Sequence, residues 1–130
     1  METETRASLE LLYARRVLAR VGAAALLGYG VIDGRRVMGE LAVRVGTSNI
    51  LPETAVTEGT WVEGQGYGAG GRVTDGSYGW GGAAGTVAFV NYDAGLRAAL
   101  FTQYMPSEAY PIHEGFPAAV AKDLAAMARG

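Results

Sequence analysis

The sequence contains no cysteine and a single histidine, His113. Without thiols the chain can form no disulfide, iron–sulfur cluster or thiolate zinc site, and it holds no thiol nucleophile. One imidazole leaves little from which to assemble a transition-metal centre, so neither a metal nor a cofactor is expected. Lysine is almost as scarce, with Lys122 alone against ten arginines. Acidic residues number 13 and basic ones 11, a net charge of −2. Binding to a polyphosphate backbone needs an excess of positive charge, so no nucleic-acid partner is expected. Long apolar runs are missing too. The longest weakly apolar stretch, Val21 to Ile32, contains three glycines and is too short to cross a bilayer, so no membrane partner is expected. The opening Met1-Glu2-Thr3-Glu4-Thr5 is acidic and polar, the reverse of a secretory leader, and the expected compartment is the cytoplasm.

What is present is 130 residues, 49% hydrophobic and 18% charged, the balance of one globular domain. We read 1–130 as a single domain in two parts: helices and loops over 1–58, then glycine-rich strands and a terminal helix over 59–130. From Ser8 to about Val21, Leu9, Leu12, Tyr13, Val17 and Val21 follow helical spacing, with Arg15, Arg16 and Arg20 largely off that stripe. Those arginines read as the solvated face of an amphipathic helix. Asp33-Gly34 marks a turn, and Glu40 to Val45 a short second helix that ends near Gly46.

Eleven of the twenty glycines fall between Gly59 and Gly85. Interleaved with them are Trp61, Tyr67, Tyr78 and Trp80, so the segment is no floppy linker; each glycine makes room for a large ring. Thr86-Val87-Ala88-Phe89-Val90 and the run from Leu96 to Thr102 flank the turn residues Tyr92-Asp93-Ala94-Gly95, which predicts an antiparallel hairpin. Phe116, Val120, Leu124 and Met127 recur at helical spacing, with Pro117 placed in the first turn of a C-terminal helix. Phe89, Leu100, Phe116, Val120 and Leu124 are the core expected where hairpin meets helix. The fold class is α+β, with an antiparallel sheet of about three strands, N-terminal helices and a C-terminal helix packed on it.

Gly66, Gly68 and Gly71 match the spacing G-x-G-x-x-G, but a dinucleotide site needs a helix directly after it, and Val73-Thr74-Asp75-Gly76-Ser77 reads as strand then turn. Nucleotide binding is therefore not expected. His113, between Pro111 and Glu114, reads as a surface-loop residue rather than a general base. The segment from Tyr78 to Thr86 carries more. Trp80 stands on a strand beside Gly81 and Gly82, and such a bare strand can lay its N–H groups against a substrate carbonyl. Close packing of two backbones is the other reading of the same glycines.

Tyr67-Gly68-Ala69-Gly70-Gly71, then Tyr78-Gly79-Trp80-Gly81-Gly82-Ala83-Ala84-Gly85-Thr86, then Leu100-Phe101-Thr102-Gln103-Tyr104-Met105-Pro106, resemble the C-terminal part of the serine β-lactamase-like superfamily. The nearest kin by this resemblance are β-lactamase-related esterases, class C β-lactamases and D-alanyl-D-alanine carboxypeptidases. Asp33 to Met38 and Thr47 to Pro52 resemble the segment that precedes this strand in such proteins. The resemblance implies a partial β-lactamase/transpeptidase-like fold and acyl transfer to a serine, on an ester, an amide or a β-lactam. Trp80-Gly81-Gly82 matches the W-x-G form of the family's third motif. Ala83 is then the residue whose N–H serves the oxyanion hole, and Gly82 the one that keeps the strand clear for substrate.

The family's other two motifs have no counterpart here. The residue three before Lys122 is Ala119, so there is no S-x-x-K, and no tyrosine is followed two residues later by asparagine. The resemblance therefore implies a C-terminal portion that carries Trp80, Gly81, Gly82 and Ala83 but neither nucleophile nor base, inactive alone, with a complementary N-terminal fragment as its partner. The rival expectation is a small non-catalytic module that binds another protein or itself through an exposed strand edge.

Overall fold

The computed structural model describes residues 22–74, 76–105 and 109–129. The amphipathic helix expected over Ser8–Val21 lies outside them. The described chain is α+β. It begins helical over residues 22–27 (α1), forms the small hairpin β1 (Val31–Ile32) and β2 (Arg35–Arg36), and continues into α2 (Glu40–Gly46). Asp33 and Gly34 take φ of 48° and 77°, the left-handed pair that a two-residue hairpin turn requires. Gly39 is extended ahead of α2, Glu40 and Arg44 pair one turn apart at 2.8 Å, and Val43, on the inner face, is 1% exposed.

The remainder is one five-stranded antiparallel sheet in the order β3 (Gly66–Tyr67), β4 (Arg72–Thr74), β5 (Ser77–Gly82), β6 (Thr86–Asn91) and β7 (Leu96–Leu100), followed by α3 (Ile112–Met127). Every strand pairs with its neighbour in sequence. The predicted hairpin is β6–β7, with Phe89 opposite Ala98. The expectation of about three strands is corrected to five, plus the separate two-stranded hairpin. The strand read at Val73–Thr74 is β4, one residue longer at its start, whereas β3 was missed, because two residues are too short to show alternation. β3 is held from outside: Asn49 Oδ1 accepts the Tyr67 N–H at 3.1 Å, and Ile50 N–H donates to Tyr67 O at 2.9 Å.

Two rings fill space left by glycines. The Tyr78 ring lies where a side chain at Gly71 would stand, and its hydroxyl donates to Ala69 O at 2.7 Å. Phe89 lies across from Gly79, where a Cβ would come within 2.5 Å of its own. Phe89 then meets Phe116 of α3 edge to face, centroids 6.1 Å apart. Tyr92, just past β6, places its hydroxyl within hydrogen-bond distance of Leu26 O and Thr47 Oγ1, at 3.2 and 3.3 Å, and stacks on Tyr29 at 5.1 Å, which ties α1 and the end of α2 to the sheet.

The expected core is corrected in part. Phe89, Leu100, Phe116, Val120 and Leu124 are only half-buried, and the buried apolar residues among those described are Ala25, Val43, Val87 and Val90. Pro117 is also moved. The helix starts at Ile112, so Pro117 lies inside it rather than in the first turn, while Pro111 takes the cap position. Proline lacks the N–H that would bond the carbonyl four residues back, the carbonyl of His113. No helix among the described residues is long and apolar enough to cross a membrane.

Substitution of Phe89 by alanine removes its aromatic contact with Phe116 of α3 and should cost about 3 kcal/mol, whereas Leu41→Ala, at a side chain 75% exposed, should stay within about 0.5 kcal/mol of the parent. Equilibrium urea unfolding of the two variants checks this. Desolvation raises the Tyr78 phenol above its ordinary value, with Tyr67 and Tyr92 adding to the effect. Folding thus favours the neutral phenol; that stability is complete below the unfolded value of about 10 and is lost as pH rises through the higher folded value. Urea midpoints taken between neutral and strongly alkaline pH should fall less steeply in Tyr78→Phe than in the parent.

Candidate functional site

Trp80, Gly81 and Gly82 form the second half of β5, and Ala83 opens the turn that follows. β4 covers only the first half. Its furthest rung along β5 is Arg72 opposite Gly79; from Trp80 onward β5 pairs with β6 alone, through Ala88, Val87 and Thr86. The outer edge of Trp80–Gly82 therefore has no strand neighbour among the described residues. An unpaired edge of this kind is open to a ligand's backbone-like groups.

The end of this edge is held firmly. Gly82 C=O accepts from Gly85 N–H at 3.0 Å and from His113 Nε2 at 3.1 Å. A carbonyl only accepts, so Nε2 is the nitrogen that carries the hydrogen. Gly85, at φ 69°, provides the left-handed residue that closes the three-residue connection between β5 and β6. The Gly82 oxygen belongs to the same planar trans peptide unit as the Ala83 N–H, which points the opposite way. Two donors on the oxygen thus fix the direction of the N–H and polarise it further. Ala83 is exposed, and its N–H meets no acceptor among the described residues.

One sequence expectation changes here. His113 is not a loop residue: it lies in the first turn of α3, half-buried, with its ring over Gly81, where a Cβ would come 2.8 Å from the imidazole. Gly82 was expected to keep the strand clear for substrate. A side chain there would also meet Thr86 Oγ1 on the paired strand, so its bareness accommodates Thr86 as well.

Trp80 is 38% exposed, meets Tyr67 edge to face at 5.9 Å, and carries the Arg72 guanidinium 5.2 Å from its ring. Sequence reasoning missed Arg72. The available signal was its isolation, as the only basic residue between Gly59 and Gly85. From Trp80 an open groove of about 470 Å³ runs between the sheet and α3, walled by Val87, Phe89, Val120 and Leu124, with Arg72 and His113 among its polar residues. Among the described residues no cluster of three or more histidine, aspartate or glutamate side chains could hold a metal ion. Comparison with protein-family models and with curated proteins gives no match.

Gly81→Ala should drive its methyl into the His113 ring and cost about 1–3 kcal/mol. The double variant Gly81→Ala/His113→Ala should lose less than the sum of the two single changes, because the collision has gone. A double-mutant cycle by chemical denaturation measures that coupling.

Proposed function

We propose that this chain is the C-terminal part of a β-lactamase-related serine hydrolase, and that it supplies the oxyanion strand to a site whose nucleophile comes from a complementary segment. The observation that supports this reading best is the clamped Gly82–Ala83 peptide at the end of an unpaired strand edge. In acyl transfer a serine Oγ adds to the carbonyl carbon of an ester or amide, its proton passes to a base, and the carbonyl π electrons move onto oxygen. The Ala83 N–H, already aimed, donates to that oxygen without reorganising as the charge develops. Collapse expels the alcohol or amine with a proton, and water releases the acid from the acyl-serine. Trp80 forms a wall of the substrate cleft. His113 touches no substrate; it acts through the Gly82 carbonyl, as a positioning residue. S-x-x-K and Y-x-N are absent from the sequence, so nucleophile and base belong to the complementary segment. We assign the work to the cytoplasm.

A second reading is favoured by the exposed apolar side chains Leu41, Val45, Ile50, Val56 and Trp61, which are 75%, 51%, 52%, 81% and 81% accessible. These suit a non-catalytic module that covers this surface with a partner or another copy of itself. A discrete dimer by light scattering supports the module, and polydisperse association supports the orphaned hydrolase portion.

Complementation tests the hydrolase reading. Mixing the chain with the N-terminal part of a β-lactamase-related esterase should restore hydrolysis of an activated ester that neither part catalyses alone. Gly82→Val displaces Thr86 and turns the Ala83 peptide, so the restored kcat should fall by roughly 100- to 1000-fold, the usual effect of losing one oxyanion donor. Trp80→Ala should mainly raise KM. A stable, inactive complex would overturn the proposal, as would a Gly82→Val chain that restores activity in full.

A further inference from the structure

We propose that the groove between the sheet and α3 binds an amphipathic monocarboxylate, with Arg72 taking the carboxylate and the walls around Phe89 and Leu124 taking the apolar body. This goes beyond the hydrolase reading and does not depend on it. Arg72 Nε is enclosed and has no hydrogen-bond partner, the one buried side-chain polar atom so placed among the described residues. Buried donors are nearly always paired, because leaving one unpaired is costly. The ion pair found among the described residues is Arg44 with Glu40, and Glu114, although it lines the groove, makes none with Arg72.

The remaining geometry selects the ligand. Trp80 lies beside the guanidinium, its ring centroid 5.2 Å from the central carbon, and Nε is enclosed, so the two terminal nitrogens, which have no hydrogen-bond or ion-pair partner among the described residues, are the donors left for a planar acceptor in the groove. A carboxylate matches that fork with two parallel hydrogen bonds. A more highly charged anion finds no second cation in the groove and has Glu114 on its wall. Beyond the guanidinium the walls are Val87, Phe89, Val120 and Leu124, which no small inorganic ion would use. The groove volume of about 470 Å³ falls within the range of roughly 300–1,000 Å³ typical of small-molecule sites.

Titration of the ¹⁵N-labelled chain with octanoate, and separately with neutral octanamide, tests the proposal. Octanoate should shift the Arg72 Nε–H and Trp80 Nε1–H resonances saturably and should bind roughly 10- to 100-fold more tightly than octanamide, the difference expected for a hydrogen bond to a charged partner. Arg72→Gln should remove that advantage while leaving octanamide unchanged. Ala121→Trp, at an exposed position on α3 that lines the groove, should block both ligands and keep the helix content by circular dichroism. Equal affinity for octanoate and octanamide would overturn the proposal. So would parent-like octanoate binding by Arg72→Gln, or a concentration-dependent dimer whose dissociation, rather than octanoate, moves the groove resonances. No nucleophile enters this measurement, so its failure leaves the hydrolase reading intact, and failed complementation leaves this site intact.

Discussion

The arrangement rests on one steric condition: β5 must carry no side chain at Gly79 or Gly81. Phe89 and the His113 ring occupy the space those side chains would need. With that space free, Phe89 reaches Phe116, α3 approaches the sheet, and His113 comes within hydrogen-bond distance of Gly82 O. Glycine is a poor strand former, because it packs nothing and gives up more backbone freedom than any other residue. The loss is offset by rings borrowed from elsewhere. Tyr78, beside Gly79 on β5, covers Gly71, and Phe89 covers Gly79.

The same glycines account for the combination of rigidity and openness at the candidate site. β4 is short because the chain turns through Gly68 to Gly71, with Gly70 at φ 82° and a 2.8 Å bond from Gly68 N–H to Gly71 O. The strand therefore gives out at Arg72 and leaves Trp80–Gly82 unaccompanied on one side. Loss of a strand neighbour usually loosens an edge. Here the loosening is opposed at the far end by the two bonds to Gly82 O and by Thr102 Oγ1 and Tyr104 N–H, which both donate to Ala84 O. A free edge anchored at its tip presents its donors without letting them wander, which is the condition for electrostatic preorganisation.

Much of the scaffold was legible in the residues. The β6–β7 hairpin showed in its β-branched run and its Asp93–Gly95 turn, α2 in its acidic start and terminal glycine, and α3 in the spacing of Phe116, Val120 and Leu124. β3 was not legible, because a two-residue strand has no period to detect and is held by Asn49 and Ile50, far from it in sequence, while β4 showed only as the Val73–Thr74 stretch before a turn. Pro111 and Pro117 both fit a helix start, and spacing alone does not choose between them; the structure uses Pro111. Within the site, the glycines at 81 and 82 marked a bare strand, but which neighbour each accommodates is a tertiary fact. The positions of Arg72 and His113 depend on pairing register and on helix approach, neither of which local sequence encodes.

The strand order has a consequence for how the sheet comes together. From β3 to β7 each strand lies beside the one that precedes it, so no pairing waits for a distant part of the chain. The loops to be closed are short, and a sheet wired in this way has a low contact order for its class, which favours rapid assembly. The strand bearing Trp80 can therefore reach its register from its own two flanking hairpins. A surface that takes shape by such local steps meets whatever docks on it as a finished template, and recognition then becomes a matter of collision and fit rather than of joint folding.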